Sequence, residues 1–199
     1  MTDPTENKNW KSQLFTFRSY TPIPFLIVML LFSSPTIASL VAGFLIALVG
    51  ESVRFWGVAY AGSETRTTGR VGGTQLVTSG PYSFVRNPLY VGNVILYLGV
   101  GIMSNALTPY LQVIAVIYFA LQYSAIVGIE EKYLAETFSG WNDYASKVPR
   151  FIPRLSRFVS GQVLVPNTKR ALRSERSSLL AFASISCLLC VIYIVRGAS

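Results

Sequence analysis

Apolar residues along this chain come in five runs, each broken by a short polar or turn-forming stretch. The first covers residues 23–32 and is closed by Ser33, Ser34 and Pro35. The second, residues 36–61, is longer and rich in small side chains. Residues 89–103 and 109–129 follow, with a turn between them at Ser104 and Asn105, and residues 179–195 form the last run. A hydrocarbon core of about 30 Å is crossed by about 20 apolar residues in a helix. The pattern therefore predicts an all-α, polytopic membrane bundle of about five transmembrane helices. The expected organisation is an N-terminal cytoplasmic segment at 1–22, a helical hairpin at 23–61, a core at 62–157, and a basic linker with a final span at 158–199.

Charge orients this bundle. Lys8, Lys11 and Arg18 precede the first run, Arg66 and Arg70 follow the second, and lysines and arginines cluster from Lys132 to Arg176 between the fourth and fifth. The hairpin tips at 33–36 and 104–108 carry no charge. The positive-inside rule then predicts an internal N-terminus, external tips and an external C-terminus. Only 13% of residues are charged, against about 25% in soluble domains. The net charge of +8 is spread between apolar runs rather than over one polar face, which argues against a nucleic-acid partner and for membrane lipid. Residues 1–11 are polar and of mixed charge, and the first run does not end in a small-residue cleavage site. The expectation is a retained anchor rather than a signal peptide, in a bacterial inner membrane with the site on the cytoplasmic side.

The chain has no histidine, so the commonest general base and metal ligand is missing and no metal site is expected. Cys187 and Cys190 lie among Leu188, Leu189 and Val191. Redox or metal chemistry needs a more electropositive setting, so they read as small apolar side chains. Glu51 and Arg54 share one face of the second run, where ionisable groups are costly and functional by default. The plainer reading, a local ion pair near the cytoplasmic interface, is preferred. Gly99 and Gly101 read first as a close helix contact.

Two stretches are too polar or irregular to span. Residues 64–86 carry Gly69, Gly72, Gly73, Gly80 and Pro81, yet Leu76, Val77, Tyr82 and Phe84 need burial. They predict a cytoplasmic loop folded back on the helix ends. Residues 141–153 are basic and amphipathic, with Trp141, Tyr144, Phe151 and Ile152, and predict an interfacial segment whose aromatics face lipid or protein. Arg150, Arg154 and Arg157 there suit lipid phosphates.

Chemistry concentrates at residues 76–93, LVTSGPYSFVRNPLYVGN. Pro88 suits the first turn of a helix. Arg86 and Asn87 would then flank free backbone N–H groups, where a carboxylate or phosphate binds readily. Glu130 and Glu131 fall where the fourth run meets the cytoplasm. About 100° apart, only one of them faces a given site. A carboxylate there could take a cation or ribose hydroxyls, or simply solvate a helix end, although it opposes the helix dipole.

These pieces in order resemble the isoprenylcysteine carboxyl methyltransferase family and the related phospholipid methyltransferases. The likeness covers roughly residues 53–153. It rests on LVTSGPY, the R-x-P-x-Y of Arg86 to Tyr90, the Glu130–Glu131 pair, and Tyr144 followed by V-P. The resemblance implies that S-adenosylmethionine binds between the cytoplasmic helix ends. Thr74, Gln75, Leu76, Val77, Tyr82, Asn87, Pro88, Leu89 and Tyr90 would line it, completed by Glu130 or Glu131. It also implies a lipid-like or prenylated acceptor entering from the membrane, with methylation of a carboxylate as one case. Arg86 would hold a carboxylate of cofactor or acceptor, and Tyr90 and Glu130 would act at the reaction centre. The family usually has His where this chain has Asn87. The eukaryotic enzymes carry an arginine shortly before the Glu pair, whereas residues 126–129 hold no cation, and Arg86 or Arg150 is the candidate replacement. Two other readings stand beside this one: a non-catalytic membrane scaffold or lipid-binding relative, and a nicotinamide-dependent reductase similar to the membrane sterol reductases.

Overall fold

The computed structural model describes residues 17–18, 20–62, 75–159 and 164–197. Every long element among them is a helix: α1 (Pro22–Leu31), α2 (Ile37–Ala61), α3 (Pro88–Ser104), α4 (Tyr110–Thr137), the short α5 (Trp141–Lys147) and α6 (Thr168–Gly197). A single 3₁₀ turn, Gly80–Ser83, precedes α3. The five apolar runs thus correspond to α1, α2, α3, α4 and α6. Three of these helices, α2, α4 and α6, are long and apolar enough to cross a membrane. The other two are shorter: α3 has 17 residues and α1 has ten, or about 26 and 15 Å at 1.5 Å per residue. The last helix begins at Thr168, 11 residues before the apolar run that predicts it, because the basic stretch from Lys169 to Arg176 continues the same helix.

The turns that separate the runs have local causes. Thr36 and Ser39 cap α2 reciprocally, the Ser39 N–H donating to Thr36 Oγ1 at 3.1 Å and the Thr36 N–H to Ser39 Oγ at 2.9 Å. Two orphan N–H groups at the helix start are thereby satisfied. Asn105 ends α3 in the left-handed region at φ 49°, a conformation asparagine tolerates better than most residues. The two hairpin tips join: the Ser34 N–H donates to Ser104 O at 2.9 Å, and Asn105 Nδ2 donates to Ser34 O at 3.0 Å. Arg196, near the end of α6, donates to Ser33 O. The opposite end of α6 sits by the end of α2, where the Asn167 N–H donates to Ala59 O at 2.8 Å.

The centre of the bundle is the α2–α3 pair. A Cβ at Gly43, Gly50 or Gly99 would collide with main-chain atoms of the facing helix, at Met103, Leu96 and Ala47 respectively. Side chains of any size would force the two backbones apart, so glycine at these places sets the separation. Ala47, Leu96, Val100 and Met103 fill the seam together with Met29 of α1 and Phe182 and Leu189 of α6. Outside it, Val41, Leu45, Leu48 and Val49 of α2, Ile114, Ile117 and Leu121 of α4, and Leu188, Val191 and Ile194 of α6 are exposed. An apolar exterior on helices this long suits lipid rather than water, and the protein is an integral membrane protein.

One end of the bundle carries a folded cap. The loop from Gln75 to Asn87 is covered by residues 149–159, called the strap below. The Arg86 N–H donates to Pro149 O (2.8 Å), the Arg154 N–H to Phe84 O (3.0 Å) and the Phe158 N–H to Ser83 O (2.9 Å). The expectation that the loop folds back on the helix ends holds from Gln75 onward, while residues 63–74 lie outside the described residues. Gly80 has φ +63°, and the Tyr60 ring occupies the place a Cβ would need. Only glycine meets both constraints without strain. Trp141 and Tyr144 of α5 turn towards protein, packing with Val148 against Leu76, Leu134 and Phe158.

Replacing Gly50 by leucine is expected to destabilise the bundle by at least about 1–3 kcal/mol, the usual cost of overpacking. The measurement is denaturant unfolding of the detergent-solubilised protein followed by circular dichroism. A midpoint equal to that of the parent would remove the α2–α3 seam from its central place.

Candidate functional site

A cavity of about 780 Å³ runs from the cap into the bundle. It follows α3 from Pro88 to Val100, about 18 Å at the rise of a helix. Its capped end is polar, with Gln75, Tyr82, Arg86, Asn87 and both glutamates on its wall. Its deep end is apolar, bounded by Phe25 and Met29 of α1, Val100 of α3, Phe119 of α4, and Phe182 and Ile185 of α6.

The structure brings most of the sequence-predicted residues to this cavity. Gln75, Leu76, Val77, Tyr82, Arg86, Asn87, Pro88, Leu89, Tyr90, Glu130 and Glu131 all line it. Thr74 lies outside the described residues. Pro88 begins α3 as predicted, and Asn87 makes no side-chain cap. Instead its Nδ2 donates to Arg150 O at 3.2 Å. The N–H groups of the first helical turn therefore receive no bond from the Asn87 side chain, which leaves the helix start suited to an anion.

The two glutamates divide their work. Tyr90 Oη donates to Glu130 Oε1 at 2.8 Å, across the gap between α3 and α4. The Tyr90 ring stacks on Tyr123 with centroids 4.6 Å apart. Glu131 turns to the cap, where Arg86 Nη1 lies 3.0 Å from Oε1 and Arg150 Nη2 lies 2.5 Å from Oε2. Both candidate replacement arginines thus reach Glu131. Arg86 also sits over the Trp141 ring, 5.6 Å from its centroid. Its Nε is buried with no hydrogen-bond acceptor. A buried donor without an acceptor is costly, so an acceptor group entering beside Arg86 would gain from it.

Two tyrosines of the cap stay neutral. Burial, with Tyr144 and Glu130 adding to it, pushes the Tyr82 phenol far above its ordinary range. Burial also raises Tyr144, against the opposing pull of Arg86. Tyr144 Oη donates to the Tyr82 carbonyl at 2.8 Å, fixing the 3₁₀ turn over the cavity mouth.

Several cavity residues escaped the sequence reading. Arg54, preferred there as a local ion pair with Glu51, does lie 3.3 Å from that carboxylate. It also reaches Glu175 of α6 at 2.6 Å and donates to Asn93 Oδ1. Asn93, Tyr97 and Tyr123 were not singled out, although polar residues four apart at 93 and 97 inside an apolar run form a helix-face signal. Arg18 lines the cavity from the N-terminal side. Glu175 stands before the last apolar run, where nothing in the local pattern marks it.

With the geometry in place, the class is defined by comparison: the phospholipid methyltransferase family profile matches residues 38–140, and the chain belongs to that family. Among particular relatives, it is 45% identical over 87 residues to the nickel-cobalt-cadmium resistance protein NccN of Alcaligenes xylosoxydans xylosoxydans, covering 44% of this chain and 40% of the relative. It is 37% identical over 126 residues to the cobalt-zinc-cadmium resistance protein CzcN of Cupriavidus metallidurans, covering 63% of this chain and 53% of the relative. The chain thus spans about half the length of the curated relatives it matches. No solved structure gives a significant match.

Replacing Glu131 by alanine leaves Arg86, itself only 13% exposed, without its carboxylate. The expected cost is on the order of 3 kcal/mol, as for other buried pairs that lose one partner. Replacing exposed Lys147, paired with Asp143, is expected to change stability by no more than about 0.5 kcal/mol. Paired unfolding curves check both, and equal effects would contradict a structural role for Glu131.

Proposed function

We propose that this protein is an S-adenosylmethionine-dependent methyltransferase of the membrane, acting on a lipophilic acceptor whose reactive group meets the cofactor at the capped end of the cavity. The observation that carries this reading is the single cavity that joins a polar end at Tyr90, Glu130 and the start of α3 to an apolar end between α1, α3, α4 and α6. Family membership supplies the reaction class.

The residues present fit the cofactor. Arg86 offers a buried donor without an acceptor, and the first turn of α3 adds backbone N–H groups suited to a carboxylate. Glu130 presents a carboxylate to hydroxyl or ammonium groups. Gln75, Leu76, Val77 and Tyr82 form the wall above. The volume of about 780 Å³ lies within the usual range for small-molecule sites. When bound, S-adenosylmethionine supplies an electrophilic methyl on a sulfonium.

The chain's own contribution is positional and electrostatic. Tyr90 and Glu130 hold each other across the α3–α4 gap, fixing the wall at which the acceptor's nucleophile is held. Leu76, Leu89 and the covering strap exclude water, which strengthens the polar contacts inside. Holding two reactants in line supplies part of the roughly 7–11 kcal/mol available from proximity. A carboxylate acceptor would need no base. An amine or hydroxyl would pass its proton to Glu130, the carboxylate hydrogen-bonded to Tyr90. The apolar end would receive the acceptor's hydrocarbon part.

Titration of the detergent-purified protein with S-adenosylhomocysteine by calorimetry tests the reading, with NADPH alongside. Saturable binding of the first alone is expected. Tyr90→Phe removes one hydrogen bond to a carboxylate, and affinity is expected to fall by roughly ten- to a hundredfold, in line with about 1.5–3 kcal/mol for such bonds. Folded protein that binds NADPH instead, or neither compound, would sink the proposal.

A further inference from the structure

The family match ends at residue 140, yet α6 supplies a full wall of the cavity through Ser177, Ser178, Ala181, Phe182 and Ile185. One residue of that helix is tied to the reaction end. Glu175 is 1% exposed. Its Oε2 accepts from Arg54 Nη2 of α2 at 2.6 Å, and Arg54 Nη1 donates to Asn93 Oδ1 of α3. Asn93 Nδ2 donates to Tyr123 Oη of α4 at 3.3 Å. The Tyr123 ring stacks on Tyr90, 28° from parallel, and Tyr90 donates to Glu130. Four helices are thereby joined in one contiguous series of polar and aromatic contacts.

We propose that Glu175 is a positioning residue: acting through Arg54, Asn93 and Tyr123, it holds Tyr90 in register with Glu130, which makes the C-terminal helix part of the working site. The geometry explains why the link is rigid. The Arg54 fork is held on three sides, by Glu51, Asn93 and Glu175, and a guanidinium is planar and pre-organised. Asn93 offers its oxygen to Arg54 and its amide N–H to Tyr123, which fixes which way the amide points. Tyr123 is packed on one side in the cluster with Ala115, Phe119 and Ile126 and borders the cavity on another, so a shift at its hydroxyl reaches the Tyr90 ring stacked on it. Release of Glu175 would let Arg54 swing towards Glu51 and free Asn93 to rotate. The proposal rests on the reading of Tyr90 as a cofactor contact for its functional meaning, and on geometry alone for the coupling.

The test places 3-fluorotyrosine at position 90 of the full-length, detergent-purified protein and records its ¹⁹F resonance without ligand. Glu175→Gln and Asn93→Leu are each expected to move the resonance, whereas Lys169→Ala, an exposed change on the same helix, leaves it in place. Should Glu175→Gln fail to fold, Asn93→Leu alone decides, because it cuts the path while leaving both ion pairs of Arg54. S-Adenosylhomocysteine affinity is expected to fall by roughly fivefold in Glu175→Gln, with no further loss when it is combined with Tyr90→Phe, the non-additivity of residues acting through one another. A Tyr90 resonance unmoved in a folded variant, or losses that simply add, overturns the proposal. A resonance that moves in a protein that binds no S-adenosylhomocysteine supports the coupling and sinks the methyl-transfer reading instead.

Discussion

The distance between α2 and α3 governs the rest of the molecule. Glycines at 43, 50 and 99 let the two backbones meet where no side chain fits. That contact carries little hydrophobic gain of its own in lipid, since tails are as apolar as leucine, and depends on close packing instead. Its consequence is positional. With α2 and α3 fixed as one unit, Arg54 of the first reaches Asn93 of the second, and the loop before α3 can fold over the end of α2 with Gly80 beneath Tyr60. The cavity exists because the remaining helices pack around this unit without filling the space beside it.

Among the described residues, buried ion pairs form two separate groups. Near the mouth, Glu131 is shared by Arg86 and Arg150. Deeper in the bundle, Arg54 is shared by Glu51 and Glu175. Such groups add little net stability against an apolar alternative, but lose heavily when one partner is removed. They suit a cavity that has to remain polar at fixed points while opening to a lipid-like interior. Tyr90 stacks on Tyr123, which accepts from the Asn93 held by Arg54, and Glu130 accepts from Tyr90.

Much of this was legible in the sequence. The five apolar runs gave five helices, because spacing and turn residues such as Pro35 and Asn105 act locally. The Pro88 start of α3 followed from helix geometry, whereas the expectation that only one of Glu130 and Glu131 faces a given site does not hold for the cavity, which both line. What stayed hidden depends on partners distant in sequence. Glu51 and Arg54 read as a local pair because the third member, Glu175, lies more than a hundred residues away on a helix whose polar first turns resembled a linker. Whether Trp141 and Tyr144 meet lipid or protein stayed open, because an amphipathic basic stretch has the same pattern in both cases; they meet Leu76 and Leu134.

The strap that covers the mouth is attached to the loop beneath it mainly through main-chain groups: Pro149, Phe84 and Ser83 give carbonyls, and Arg86, Arg154 and Phe158 give N–H groups, with the Asn87 side chain adding one bond to the Arg150 carbonyl. Any residue but proline has the same N–H to offer, and every residue has the carbonyl. Substitution along most of this ribbon can therefore accumulate while its path is kept. The family profile ends at residue 140, while beyond it the strap continues the cap and α6 the cavity wall, so the boundary of a matched pattern and the boundary of the structural unit do not coincide.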